Sequence, residues 1–133
     1  MKDGIVDVRS QHAVAATIDR LEARARAAGL MVVARIDFSG DAGRAGLAMR
    51  PMQALLFGNP QAGTPILAAA PHAGLDLPLR ALAWEDASGA VWISSNTADY
   101  VGRRHDVPEP LLGPLQGAGG LIAAAARADE PTG

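Results

Sequence analysis

The chain contains no cysteine, which removes disulfides, thiol nucleophiles and thiolate metal ligands together. Aromatic residues make up only 4% of it, so the core must be aliphatic and alanine-filled. No run approaches the roughly 20 apolar residues of a membrane-spanning helix, so no membrane contact is expected. Residues 1–10 lack the apolar stretch of a signal peptide, and a cytoplasmic location is the expectation. The three histidines, His12, His72 and His105, are too scattered for metal-ligand spacing, so no metal is expected. Neither Gly-x-Gly-x-x-Gly nor a Gly-Lys-Ser/Thr phosphate loop is present, and no cofactor is expected. Nothing resembles the Gly-x-Ser-x-Gly nucleophile turn. Basic clustering is missing too: formal net charge is −2 and the isoelectric point about 5.8, which argues against nucleic acid as a partner.

What remains is 133 residues of 49% hydrophobic content, enough for one domain with a real core. We read residues 1–133 as a single domain, with its core over about 5–127 and a frayed tail over 128–133. The chain is organised around Ala54–Pro65. Leu55, Leu56 and Phe57 read as a strand buried on both faces and central to the sheet. Gly58-Asn59-Pro60 forms a turn, and Thr64-Pro65 reads as the cap and first position of a new helix. A helix start after a glycine-bearing turn can offer backbone N–H groups to an anion; an ordinary capped helix is the plainer reading and the one preferred.

Upstream, Ile5, Val6 and Val8 indicate a first strand over about 4–9, with Ser10 as a helix cap. Val14, Ile18, Leu21, Ala25 and Ala28 then share one helical face, and Gly29 ends the helix. Residues 30–38 alternate as a second strand. Its second face ends in Arg35 and Asp37, so that side reaches water or a cleft. Asp37 is read first as a cap of the following turn and second as a working carboxylate. Residues 39–47 form a short glycine-weakened helix, and 66–70 another, stopped by Pro71. Leu79–Asp86, a turn over Asp86–Gly89, and Ala90–Ser94 make a hairpin that sets Trp84 beside Trp92. Both tryptophans are read as core or interface residues. Asn96 or Thr97 caps a helix ending near Arg104, and 111–127 is helical with a doubtful first half.

The ordered set Arg50-Pro51, Leu56-Phe57-Gly58-Asn59-Pro60, Gly63-Thr64-Pro65, Leu75-Asp76-Leu77-Pro78 and Trp84-Glu85-Asp86 resembles the bacterial and archaeal domain of unknown function 302 family. Ile36-Asp37, Ala45-Gly46-Leu47 and Asn96 fit it as well, so the resemblance covers about residues 5–127. It implies a compact α+β domain and no settled activity. The chain departs from the family pattern at three positions: Phe38 stands for a histidine, Met52 for a threonine and Ser95 for a tyrosine. Those departures weigh against catalysis.

The expected fold is α+β, in the order β-α-β-β-β-β with short helices inserted and a C-terminal helix. The sheet is mixed or mainly antiparallel, with the helices on one face. The leading functional reading is a small binding or interaction module. It would hold a small anionic or polar molecule around Asp37, Asn59, Gly63, Thr64 and Asp76. An enzyme using Asp37 and Asp76 as acid and base is the alternative, and a structural dimer without ligand the third. An aliphatic sheet with aromatic anchors also suits a homodimer.

Overall fold

The structure is a computed structural model and describes residues 3–128. Five strands form one sheet: β1 (Ile5–Ser10), β2 (Met31–Asp37), β3 (Met52–Gly58), β4 (Leu79–Glu85) and β5 (Val91–Asn96). Their spatial order is β1-β5-β4-β3-β2 and every neighbouring pair is antiparallel. The α+β architecture expected from the sequence is therefore present, in its antiparallel form. The middle strand is β4, however, not β3. The β4–β5 hairpin passes the chain back to β1, so it occupies the centre and leaves β3 one place from the edge.

The helix α1 (Val14–Ala27) lays one stripe on this sheet. Val14, Ile18, Leu21 and Ala25 are buried there with Leu55 and Phe57 of β3, Ala81 and Ala83 of β4, and Ile93 of β5. Burying a leucine- or phenylalanine-sized side chain is worth about 1.5–3 kcal/mol, so this stripe is the main source of cohesion. The predicted face was right at these four positions, but Ala28 is exposed at the helix end. Gly29 follows with φ +79°, the left-handed turn that only glycine adopts cheaply. Ser10 does not cap α1. It is the last residue of β1, and its buried hydroxyl pairs with that of Thr17 at 2.6 Å. Thr17 is the one polar residue on the buried stripe, which explains why the two hydroxyls seek each other.

α2 (Phe38–Arg44) and α3 (Pro60–Ala69) follow β2 and β3 directly. The start of α3 corrects the sequence reading. Asn59 rather than Thr64 is its cap, accepting from the Gln61 N–H at 3.0 Å, and Pro60 takes the first-turn position. Asparagine caps at least as well as threonine, and Pro60 is pre-set for that place. Pro65 then sits inside the helix, on an exposed side where the orphaned carbonyl can meet water. A 3-10 turn, Pro71–Leu75, leads into β4. α4 (Ala98–His105) is capped by Thr97, which accepts from the Tyr100 N–H at 3.1 Å.

The helix read over 111–127 is broken. After a 3-10 turn, Glu109–Leu111, it divides into α5 (Gly113–Gln116) and α6 (Ala118–Ala126) at Gly117. Pro114 and the glycines that made its first half doubtful cause the break. α6 packs with α1 on the same face of the sheet through Ile122 and Ala125. A second small core joins Ile66, Ala73, Val101, Val107 and Leu115. Of the tail expected to fray, residues 129–133 lie outside the described residues.

The hairpin turn is organised by Asp86. Its carboxylate accepts from the Trp92 ring N–H at 2.9 Å, from the Ser88 N–H and hydroxyl, and from the Ala90 N–H. These bonds, Trp92 foremost, hold the Asp86 carboxyl well below the usual carboxylate range. The stabilisation is complete above the ordinary aspartate pKa of about 3.9 and is lost as pH falls towards the lowered folded value. Thermal unfolding between pH 6 and pH 2 should therefore show a midpoint that drops on the acid side. In Asp86→Asn that acid slope should be shallower; an unchanged slope would show that the carboxylate contributes nothing.

Candidate functional site

An open groove of about 650 Å³ lies at the β3–α3 turn. One wall is the end of α1 and the start of β2: Ala28, Leu30, Met31 and Val33. Gly58, Asn59 and Pro60 form the floor, and Ala62, Gly63, Thr64 and Leu67 of α3 the second wall. The broken C-terminal helix closes the third side with Pro114, Leu115, Ala118 and Leu121, while Leu77–Leu79 runs beneath. No lining side chain is ionisable, and only Asn59 and Thr64 carry polar side-chain atoms.

Three of the five expected site residues, Asn59, Gly63 and Thr64, thus share one groove. Asp37 and Asp76 do not line it. Asp37 pairs with Gln53 at the first end of β3, whereas the segment after Asp76 enters β4 at Leu79, opposite Phe57 near the other end. Those anchors on β3 are four residues apart, about 13 Å of strand. Cooperating carboxylates flank a substrate bond at about 5–10 Å, and each of these two is engaged elsewhere. The pairing of Asp37 with Asp76 as acid and base therefore has no geometric support.

Asp37 is the cap of α2. Its carboxylate accepts from the Gly40 N–H and the Ser39 hydroxyl, both at 2.9 Å. These bonds, the Gly40 N–H first, lower its carboxyl pKa. Asp76 lies between the Pro71–Leu75 turn and α4. His105, only 4% exposed at its side chain, binds its carboxylate through Nε2 at 2.5 Å, and Arg104 donates to the same oxygen at 2.9 Å. Arg104 and His105 in the last turn are thus used to hold α4 against the turn, and Arg103 pairs with Asp99 at 2.9 Å.

The anion reading of the turn also fails to gather support. Gln61 donates to Asn59 Oδ1, and Ala62 and Gly63 donate to the Asn59 carbonyl at 3.0 and 2.8 Å. The first free donors of α3 are thus occupied, and no cation lines the groove. Among the described residues no cluster of three or more histidine, aspartate or glutamate side chains could hold a metal. Sequence reasoning missed the apolar character of the site, because Met31, Val33, Leu115 and Leu121 come from segments far from the turn. The one legible signal was that Met31 and Val33 fall on the exposed face of β2. The three departures from the family pattern do not converge either. Met52 sits opposite Trp84 on the face away from α1, whereas Ser95 lies opposite Val6 and Ala81 on the face of α1.

Comparison with known proteins agrees with this picture of the fold. Residues 6–118 match the family described as domain of unknown function DUF302, and the chain belongs to that family. The crystal structure of an uncharacterized conserved protein DUF302 from Bacillus stearothermophilus superposes with a TM-score of 0.79. The match has 19% identity and covers 95% of this chain and 100% of that one. The chain is also 45% identical over 104 residues to two proteins named fluoride-specific ion channel FluC 1. One is from Brucella suis biovar 1 (strain 1330) and the other from Brucella abortus biovar 1 (strain 9-941). Those matches cover 78% of this chain but only 41% and 38% of the relatives, so the chain spans about two fifths of their length. No helix among the described residues is long and apolar enough to cross a membrane.

The Asp76 cluster yields a prediction that separates structure from site. Asp76→Asn strands a nearly buried histidine without its charged partner, a loss of about 1–3 kcal/mol. Urea unfolding should show that loss. A variant as stable as the parent would show that the cluster does not hold α4.

Proposed function

We propose that this member of the DUF302 family is a binding module whose groove takes a small, largely apolar molecule. The observation that carries the reading is the lining: a groove of about 650 Å³ walled by aliphatic side chains, with no ionisable group and only Asn59 and Thr64 to orient a polar end. Ligand pockets are commonly concavities of this size, apolar with a few placed polar groups. The polar or anionic ligand expected from the sequence gives way to an apolar one, because charge would lose its hydration here without gaining a partner. An acyl chain or a compact ring system fits these walls.

The relatives named as fluoride channels suggest a setting for such a module. In them the matching segment is under half of the protein, so the domain would serve as an accessory part beside whatever the remainder does. A cytoplasmic setting is our reading too, resting on the charge balance and on the lack of a spanning helix among the described residues.

Gly63 provides the test. A Cβ built there meets nothing within 4 Å, so a large side chain would enter open groove space. It would also favour the helix, since glycine costs it roughly 1 kcal/mol. The uncharged fluorophore 1-N-phenylnaphthylamine should bind the parent chain with a blue-shifted emission. Gly63→Phe should weaken that binding at least tenfold, about 1.4 kcal/mol, without lowering the thermal midpoint. Equal uptake by the two proteins, or none by the parent, would remove the groove as a binding site.

A further inference from the structure

α1 and α6 cover one face of the sheet. The strand register directs six large apolar residues to the other: Ile36, Met52, Leu56, Leu82, Trp84 and Trp92. All six are half-buried. An antiparallel sheet with one wet face usually alternates apolar inward with polar outward. Here β3 and β4 carry large apolar side chains on both faces. A contiguous apolar patch on a sheet marks a contact surface, and the paired tryptophans give it the aromatic anchors typical of interface centres.

The same face carries three exposed charges. Asp7 stands opposite Ser94, Arg9 opposite Trp92, and Arg80 opposite Leu56. Asp7 accepts a hydrogen bond from the Ser94 hydroxyl, and the Arg9 guanidinium lies 5.9 Å from the Trp92 ring centre. Among the described residues none of the three forms an ion pair. The patch therefore holds charges of both signs, each without an opposite partner among the described residues.

We propose that this face is where two copies of the chain meet, sheet against sheet, about a two-fold axis. An isologous interface presents the same patch from both sides, so the patch must complement itself. It needs an apolar centre and both signs of charge at its margin, and that is the composition found. The two-fold brings Asp7 of one copy to an arginine, Arg9 or Arg80, of the other. A face bearing both signs can satisfy its own charges across a two-fold axis, which a face of one sign cannot. None of these apolar or charged residues lines the groove at Gly63, so the proposal stands apart from the ligand reading.

Sedimentation equilibrium of the 133-residue chain, from about 1 µM to about 1 mM, tests it. The expected species has twice the 13.7 kDa chain mass. Leu82→Lys and Asp7→Arg should each raise the dimer dissociation constant at least tenfold, with circular dichroism and melting confirming that each variant folds. Asp7 is exposed, so its variant keeps the test valid if Leu82→Lys proves unstable. Combining Asp7→Arg with Arg9→Asp and Arg80→Asp inverts every sign on the face and makes it self-complementary again, so association should return. A monomer at every concentration would overturn the proposal. So would a dimer indifferent to Leu82→Lys and Asp7→Arg, or a folded sign-inverted variant that stays monomeric.

Discussion

The contact on which everything else rests is the packing of α1 across the sheet. Ile18 and Leu21 are fully buried against Leu55 and Phe57. α6 lies alongside α1 and meets the sheet directly at β1. The groove exists because α1 stops. Where the chain turns at Gly29, the ends of β2 and β3 lose their cover, and α3 and α6 stand at either side without filling the gap. Cohesion and concavity are thus two results of one helix length.

Much of the fold was legible because period and punctuation agree locally. The α1 stripe, the Gly29 stop, the Asp86 turn and the cross-strand Trp84–Trp92 pair each follow from a few neighbouring residues. The misreadings arose where two signals of similar strength competed. Asn59-Pro60 and Thr64-Pro65 are both valid helix starts, and the earlier one wins because β3 ends at Gly58 and leaves no chain to spare. The position of β4 in the middle of the sheet depends on β1 pairing with β5, a contact some 90 residues apart in sequence that no local pattern encodes.

The candidate site was legible only at its floor and in the first turns of its α3 wall. Asn59, Gly63 and Thr64 come from the organising turn, and their mutual nearness follows from chain continuity. The aliphatic walls come from three other segments, which is why the site looked polar in the sequence and is oily in the structure. Asp37 and Asp76 drew attention as carboxylates beside turns, and both hold helices in place. A carboxylate next to a helix end is first a structural group, and the hydrogen bonds of Asp37 to Ser39 and Gly40 show the reason.

β2 is an edge strand, and its pairing with β3 slips by one residue between Val32 and Ala34. The extra residue is Val33, which with Met31 is 53% exposed. A straight edge bearing those two side chains would template strand after strand from other molecules. The slip bends the edge and interrupts its row of donors and acceptors. The irregularity is thus a device against edge-to-edge pairing at the margin of the sheet that borders the groove.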